Sequence, residues 1–324
     1  DGAALVSLHK VGGFGDGFFT SNEGVLLKSK NILSENDANK ITWETLPDGD
    51  AGLRAPSDHG GSVASEHSYS LLSDGSLYCV YRTIDGYPGC AYSRDGGHSW
   101  SSPQYKTYDD GRVFKHPRAA NFAWRCENGH YLYWYHNHGG RFIREHERQR
   151  VNAYEDRNPV WLCSGIEADG PEGKVIRWSQ PEIAIYDDDP YIRMSYPDLV
   201  EEGGEYYLTE TQKDIARVHL LDKTLLQGLW SQFDNDRVAD EGCLLELLGG
   251  TPAVLDMPPL PLFKRRGQSS PYGGDDLRAG FSLDFWLLLE SSVAGLVLLD
   301  TRLENGQGLL VQSTGNGQLE IAIS

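Results

Sequence analysis

The sequence predicts an all-β chain built from repeated hairpin blades, a β-propeller, and three observations carry that reading. The chain holds 37 glycines and an aromatic fraction of 11%, the composition of strands joined by many tight turns. An apolar strand, a tight turn and an aromatic-rich strand recur as "HSYSLLSDGSLYCVYRT", "NFAWRCENGHYLYWYHNH" and "SYPDLVEEGGEYYLTETQK", with turn glycines Gly75, Gly129 and Gly204. Tryptophan followed by a polar closing segment returns at Trp43, Trp100, Trp178 and Trp230. Those steps of 57, 78 and 52 residues are the length of one four-stranded blade with variable loops, and no convincing helical period intervenes.

Taken in order, each repeat turn has its own chemistry. Glycine supplies the positive φ that a tight hairpin needs. In "YSRDGGHSW" the Asp95 carboxylate can accept hydrogen bonds from the backbone of its own turn, the serines can do the same, and Trp100 can bury its ring on the sheet. Blade repeats are assigned to residues 1–250. Residues 251–280, "TPAVLDMPPLPLFKRRGQSSPYGGDDLRAG", are rich in Pro and Gly and read as a linker, with "FKRRG" a solvated stretch. Residues 281–324 open with "FSLDFW" followed by strand, turn and strand.

Composition bounds the function. A net charge of −18, from 29 basic and 47 acidic side chains, argues against nucleic acid as partner. An anion site would therefore be a local basic pocket in a negative surface. Cys79, Cys90, Cys126, Cys163 and Cys243 show no CxxC spacing. They read as buried free thiols, with a Cys79–Cys90 bridge as the alternative. The longest apolar run, "VAGLVLL", is too short for a membrane span. "YDDDPY" (Tyr186–Tyr191) reads as a solvated turn more readily than as a calcium loop, and His136 with His138 lacks a third metal ligand. Neither cofactor nor metal is expected. The chain begins at Asp1 without Met or a leader, and we read it as a processed chain or a fragment.

The repeats also align positions. In a hairpin, the start of the first strand and the end of the second lie at one edge. Seven residues past the turn glycines stand Arg82, His136 and Thr211, with Glu210 one short of the last. Eight back stand His67, Asn121 and Tyr196, and eleven back stand Ala64, Arg118 and Arg193. Equivalent blades would gather Arg82, Arg118, Arg193, His67, Asn121, His136, His138, Tyr196 and Glu210 at one rim, where propeller loops are free of packing demands. Guanidiniums gathered in one place call for an anion such as a sugar carboxylate.

"YSRDGGHSW" matches the Asp-box, S-x-D-x-G-x-[ST]-W, and residues 20–235 resemble the sialidase-like (BNR-repeat) propeller superfamily. That resemblance implies six or seven blades in a complete propeller, incomplete here. The "FSLDFW" segment is similar to the start of a concanavalin/laminin-G-like jelly roll, a partial β-sandwich. The superfamily further implies an exo-glycoside hydrolase of acidic sugars, secreted or periplasmic. In it an arginine clamp grips the sugar carboxylate, Tyr196 is the nucleophile, Glu210 its base and Asp198 a candidate acid. The family's first-blade "F/Y-R-I-P" arginine is missing from "SEHSYSLL", where His67 stands near that position. Two alternatives stay open. One is an ulvan-lyase-like β-elimination on uronates with a His/Tyr/Arg set including His136. The other is a non-catalytic glycan-binding propeller.

Overall fold

Alternating apolar and polar residues, interrupted by Gly-containing turns, fold as antiparallel hairpins throughout. The computed structural model describes residues 2–11, 21–56, 63–138, 157–187, 192–212, 214–234, 287–291, 293–306 and 308–323. The chain divides into two units, Asp1–Gly242 and Cys243–Ser324.

Four sheets make up the first unit. The first holds β1 (Ala4–Val11), β2 (Asn22–Ser29) and β3 (Glu44–Leu46). The second is a four-stranded blade of β4 (Ser65–Leu71), β5 (Leu77–Arg82), β6 (Gly89–Ser93) and β7 (Gln104–Tyr105). The third runs β8 (Phe122–Arg125), β9 (Tyr131–Tyr135), β10 (Val160–Gly170) and β11 (Gly173–Trp178), with β12 (Glu182–Ile185) also paired to β10. The fourth holds β13 (Asp198–Glu202), β14 (Glu205–Gln212) and β15 (Ile215–Leu220). Every strand pair is antiparallel and, apart from β10 with β12, joins neighbours in chain order, and none of the sheets closes on itself. This is the meander of propeller blades. In the second unit β16 (Ala294–Asp300), β17 (Leu309–Thr314) and β18 (Leu319–Ile323) form a three-stranded antiparallel sheet. The 251–280 segment and Cys243 lie outside the described residues, as do Asp188–Tyr191 of the acidic turn.

Successive sheets of the first unit are tied face to face. The Ser70 hydroxyl donates to the Ala123 carbonyl at 2.9 Å, and the Tyr92 hydroxyl accepts from the Ile176 amide at 3.0 Å, joining the second sheet to the third. Glu201 accepts from the Glu127 amide at 3.0 Å, joining the third to the fourth. The aromatic strands "LYCVYR" and "YLYWY" are buried at every position, because both faces of a blade meet other sheets.

The Asp-box closes its turn as its residue types require. Asp95 accepts from the Ser93 hydroxyl at 2.8 Å and from the Ser99 amide at 2.9 Å, while Ser93 in turn accepts from the Gly97 amide at 2.8 Å. Those donors hold the Asp95 carboxyl at about 2, the Ser99 bonds contributing most. Gly97, at φ 102°, lies against Leu26 and Leu46, and Trp100 packs beside the same pair.

The other tryptophans depart from the repeat. Trp178 is core, whereas Trp43 is 43% exposed. Trp230 belongs to a helix, α1 (Lys223–Ser231), where the sequence pattern had suggested a blade-closing strand. Asp222 caps α1 by accepting from the Leu225 amide at 3.0 Å, and Leu226 and Leu229 bury its inner face. Cys79, Cys90, Cys126 and Cys163 are free thiols, so the Cys79–Cys90 alternative is not realised. Among the described residues no helix is long and apolar enough to cross a membrane.

Lys106 is the most costly residue in the core. It is 1% exposed, with its ammonium 3.3 Å from the ring centre of Trp178, 4.4 Å from Tyr133 and 4.6 Å from Phe114. Its ammonium donates to the Tyr78 hydroxyl at 3.3 Å. Ring faces attract the cation, but burial outweighs them and drives its pKa well below 10.5. Between that lowered value and 10.5 the unfolded chain binds a proton that the folded chain does not, so stability rises with pH through the window. Lys106→Met should therefore stabilise the fold at pH 7 by about 1–3 kcal/mol and flatten the rise toward pH 10. Urea unfolding of both proteins at several pH values measures both effects, and an unchanged pH slope would refute the account.

Candidate active site

Two non-glycine residues in the described chain have left-handed backbone, Glu66 at φ 55° and Tyr196 at φ 48°, and they touch each other. Such conformations cost on the order of 1–3 kcal/mol each and persist where surrounding structure enforces them. Glu66 sits where β4 slips against β5: Ser65 pairs with Arg82 and Ser68 with Val80, leaving Glu66 and His67 on a bulge. Bulges re-aim side chains. Tyr196 sits just before β13, where the Ser195 carbonyl accepts from the Thr211 amide at 2.7 Å.

The Tyr196 hydroxyl donates to Glu66 Oε1 at 2.9 Å. The same oxygen pairs with Arg82 Nη1 at 2.8 Å, and Arg82 Nε donates to the Ser65 hydroxyl at 2.9 Å. Glu66 Oε2 is buried with no hydrogen-bond partner among the described residues. Burial first, then the charge and hydrogen bond of Glu66, raise the Tyr196 pKa; Arg82 and Arg157 oppose that rise. Tyr196 nonetheless keeps 48% of its surface exposed. The phenol is thus a protonated, reachable group whose proton already points at a carboxylate.

Arginines surround the pair. Arg157, which the repeats did not single out, is buried, donates through Nη1 to the Ser195 hydroxyl, and through Nη2 to the Arg118 carbonyl at 3.4 Å. Burial lowers its pKa, while Tyr196 and Glu66 pull the other way, and Arg82 and Arg193 add to the lowering. Arg82, Arg118 and Arg157 are all buried.

Behind them lies a histidine pair. His116 and His136 stack with ring centres 5.8 Å apart. His116 Nε2 meets the Ala119 carbonyl at 2.8 Å and its Nδ1 accepts from the His136 amide at 3.2 Å, so the ring is neutral with its proton on Nε2. His136 Nδ1 meets the Pro159 carbonyl at 3.2 Å, leaving Nε2 without a partner among the described residues. Burial, ahead of the neighbouring histidines, drives the His136 pKa well down; burial takes His116 to about 3. His138 acts electrostatically on both rings. Asn121 accepts from the Tyr133 hydroxyl at 3.2 Å, and its buried Nδ2 has no partner among the described residues.

Three expectations change. Glu210, read as the partner of Tyr196, is fully buried and pairs instead with Arg217 at 2.8 Å, its opposite on β15, with His219 Nε2 at 3.5 Å. Asp198, read as an acid, is exposed and binds the Leu199 amide of its own strand at 2.9 Å. His67 is a packing residue stacked on Tyr81 at 4.6 Å, with burial taking its pKa to about 3. The residue of "SEHS" that meets Tyr196 and Arg82 is its neighbour Glu66. A strand that alternates strictly hides this, because only the bulge turns Glu66 toward Tyr196. Among the described residues no cluster of His, Cys, Asp and Glu has the makings of a metal site.

No protein-family model matches the chain, and no curated protein matches it. Solved structures similar to it include the intramolecular trans-sialidase from Ruminococcus gnavus, at 19% identity and a TM-score of 0.40. That alignment covers 63% of this chain and 38% of the other. NanB sialidase from Streptococcus pneumoniae aligns at 17% identity and a TM-score of 0.40, over 63% of this chain and 26% of that one. Trypanosoma rangeli sialidase aligns at 13% and 0.37, over 64% and 28%. The chain thus spans well under half the length of these sialidases. Its blade architecture is established by its own four sheets.

The bulge that aims Glu66 is held by close packing. Gly24 lies under the His67 ring, and a Cβ there would stand 2.3 Å from Nε2. That ring is wedged against Tyr81 and cannot swing aside freely. Gly24→Ala should cost about 1–3 kcal/mol of stability and shift the Glu66 backbone. A thermal midpoint equal to that of the parent would show the contact to be looser than described.

Proposed function

We propose that the chain is part of a sialidase-like glycoside hydrolase acting on acidic sugars, with Tyr196 as nucleophile and Glu66 as its base. The observation that carries this reading is the 2.9 Å hydrogen bond from Tyr196 to Glu66, made by the two left-handed non-glycine residues among those described. As the Tyr196 oxygen attacks the anomeric carbon, its proton passes to Glu66 and the bond to the leaving oxygen breaks, that oxygen taking a proton from solvent. Water then displaces Tyr196 from the anomeric carbon and gives its proton to solvent, while Tyr196 takes its own back from Glu66. A neutral phenol attacking through a carboxylate base avoids bringing a second anion toward a negatively charged sugar. Arg82, Arg118, Arg157 and Arg193 are proposed to receive the sugar carboxylate, a planar anion that guanidinium forks bind two oxygens at a time. No cofactor or metal enters this scheme. A secreted or periplasmic setting goes with a glycan substrate.

The lyase reading has one specific support, the unpaired Nε2 of His136. That ring is 0% exposed, whereas Tyr196 is 48% exposed. A polysaccharide proton could reach the tyrosine and not the histidine, so hydrolysis is favoured.

An aryl sialoside and an aryl uronide serve as test substrates, because their leaving groups depart without a strong acid and report the nucleophile step alone. Tyr196→Phe and Glu66→Gln should each lower kcat by about 10²–10⁴-fold, with binding of the free sugar acid kept within a few fold. Glu210→Gln should act on stability more than on turnover. On a 4-linked uronic-acid polysaccharide, where loss of the C5 proton expels the sugar on C4, unsaturated products absorbing in the ultraviolet, abolished by His136→Ala and not by Glu66→Gln, would transfer the assignment to β-elimination. Sugar binding without turnover of any kind would leave a lectin.

A further inference from the structure

The bulge carrying Glu66 exposes a backbone problem. In the β4–β5 ladder Ser65 and Ser68 are paired, but the slip between them takes Glu66 and His67 out of register. Their amide and carbonyl groups need partners from elsewhere. Both come from β1. His9 Nε2 accepts the Glu66 amide hydrogen, and the Ser7 hydroxyl donates to the His67 carbonyl at 2.8 Å. Ser7 and His9 are two apart on one strand, which puts both side chains on the same face. One strand face thus holds two backbone groups of the bulge, the Glu66 N–H and the His67 C=O.

We propose that β1 is a positioning element for the active site, with His9 the residue that locks Glu66 in the left-handed conformation from which its carboxylate meets Tyr196. This role rests on the hydrolase reading of Tyr196 and Glu66. His9 acts through the Glu66 backbone, whose amide hydrogen its Nε2 accepts. The ring must present a lone pair at Nε2, and burial, the largest influence on it, lowers its pKa and keeps it neutral, with Arg82 acting in the same sense and Glu66 against it. His67, 6.0 Å away from His9 ring to ring, is itself held neutral by burial. Without the lock, Glu66 can relax to an extended φ. Its carboxylate would then leave Tyr196, while the arginines stay where they are.

Two substitutions separate the lock from mere packing. His9→Leu fills the space and removes the acceptor, whereas His9→Gln returns a carbonyl oxygen at similar reach. Amide hydrogen exchange at Glu66 should be about tenfold faster in His9→Leu and near the parental rate in His9→Gln. Turnover of the aryl glycoside should follow the same order, with kcat down by roughly 10–100-fold in His9→Leu, KM within about twofold, and most of kcat regained in His9→Gln. Unchanged exchange at Glu66 in His9→Leu, or a folded His9→Gln that regains neither quantity, overturns the proposal. If the parent protein turns over no acidic glycoside, the hydrolase reading fails; the exchange rates still decide whether His9 holds Glu66.

Discussion

Tyr196 and Glu66 lie 130 positions apart and meet at 2.9 Å, joining the second sheet to the segment that enters the fourth. Two left-handed residues cost about 2–6 kcal/mol together. The two bonds on Glu66 Oε1, from Tyr196 and from Arg82, each contribute about 1.5–3 kcal/mol as charge-assisted hydrogen bonds. The local balance is close to zero, so the contact cannot persist unaided. What tips it is the frame: Arg157 on Ser195, Thr211 on Ser195, and β1 on the bulge. The site is therefore a property of the assembled sheets, and no single hairpin could hold it.

This dependence explains how much the sequence reveals. Hairpin repeats mark Gly75, Gly129 and Gly204, and counting from them reaches Arg82 and Tyr196, which meet at Glu66, as well as Arg118, Asn121 and His136, which are buried. Counting fails at the bulge. Strict period-two alternation makes His67 the inward residue of "SEHS", but the slipped register leaves His67 to packing and aims Glu66 at the phenol. Arg157 escapes for a different reason: it precedes β10 by a stretch with no turn glycine to count from. Glu210 is misassigned because strand adjacency does not specify which side chains meet. Its opposite number in the β14–β15 register is Arg217, and charge pairing across the ladder claims it.

The helix is a smaller instance of the same limit. "LWSQF" repeats the letters of "SWSSP" and "RWSQP", yet the nine residues Lys223–Ser231 coil because Asp222 caps them and Leu226 and Leu229 fall on one side. Four tryptophans in similar local sequence thus occupy four environments. A short motif carries structural meaning only with its backbone chemistry, as in the Asp-box, where Ser93, Asp95, Gly97 and Ser99 satisfy one another without help from the rest of the chain.

Charge sets the last constraint. The chain carries −18 overall, so an anionic sugar is repelled at long range, yet Arg82 and Arg157 are buried and both act on the Glu66 carboxylate. At physiological salt, charges farther than about 8 Å are largely screened, which removes most of the repulsion from the outer surface. Within the site the dielectric is lower and screening is weak, so the guanidiniums dominate once the ligand arrives. Negative exterior and basic interior are therefore compatible. On the proposed hydrolase reading, their separation also confines attraction to ligands small or slender enough to place a carboxylate among the buried arginines, which favours a terminal sugar over the interior of a bulky polyanion.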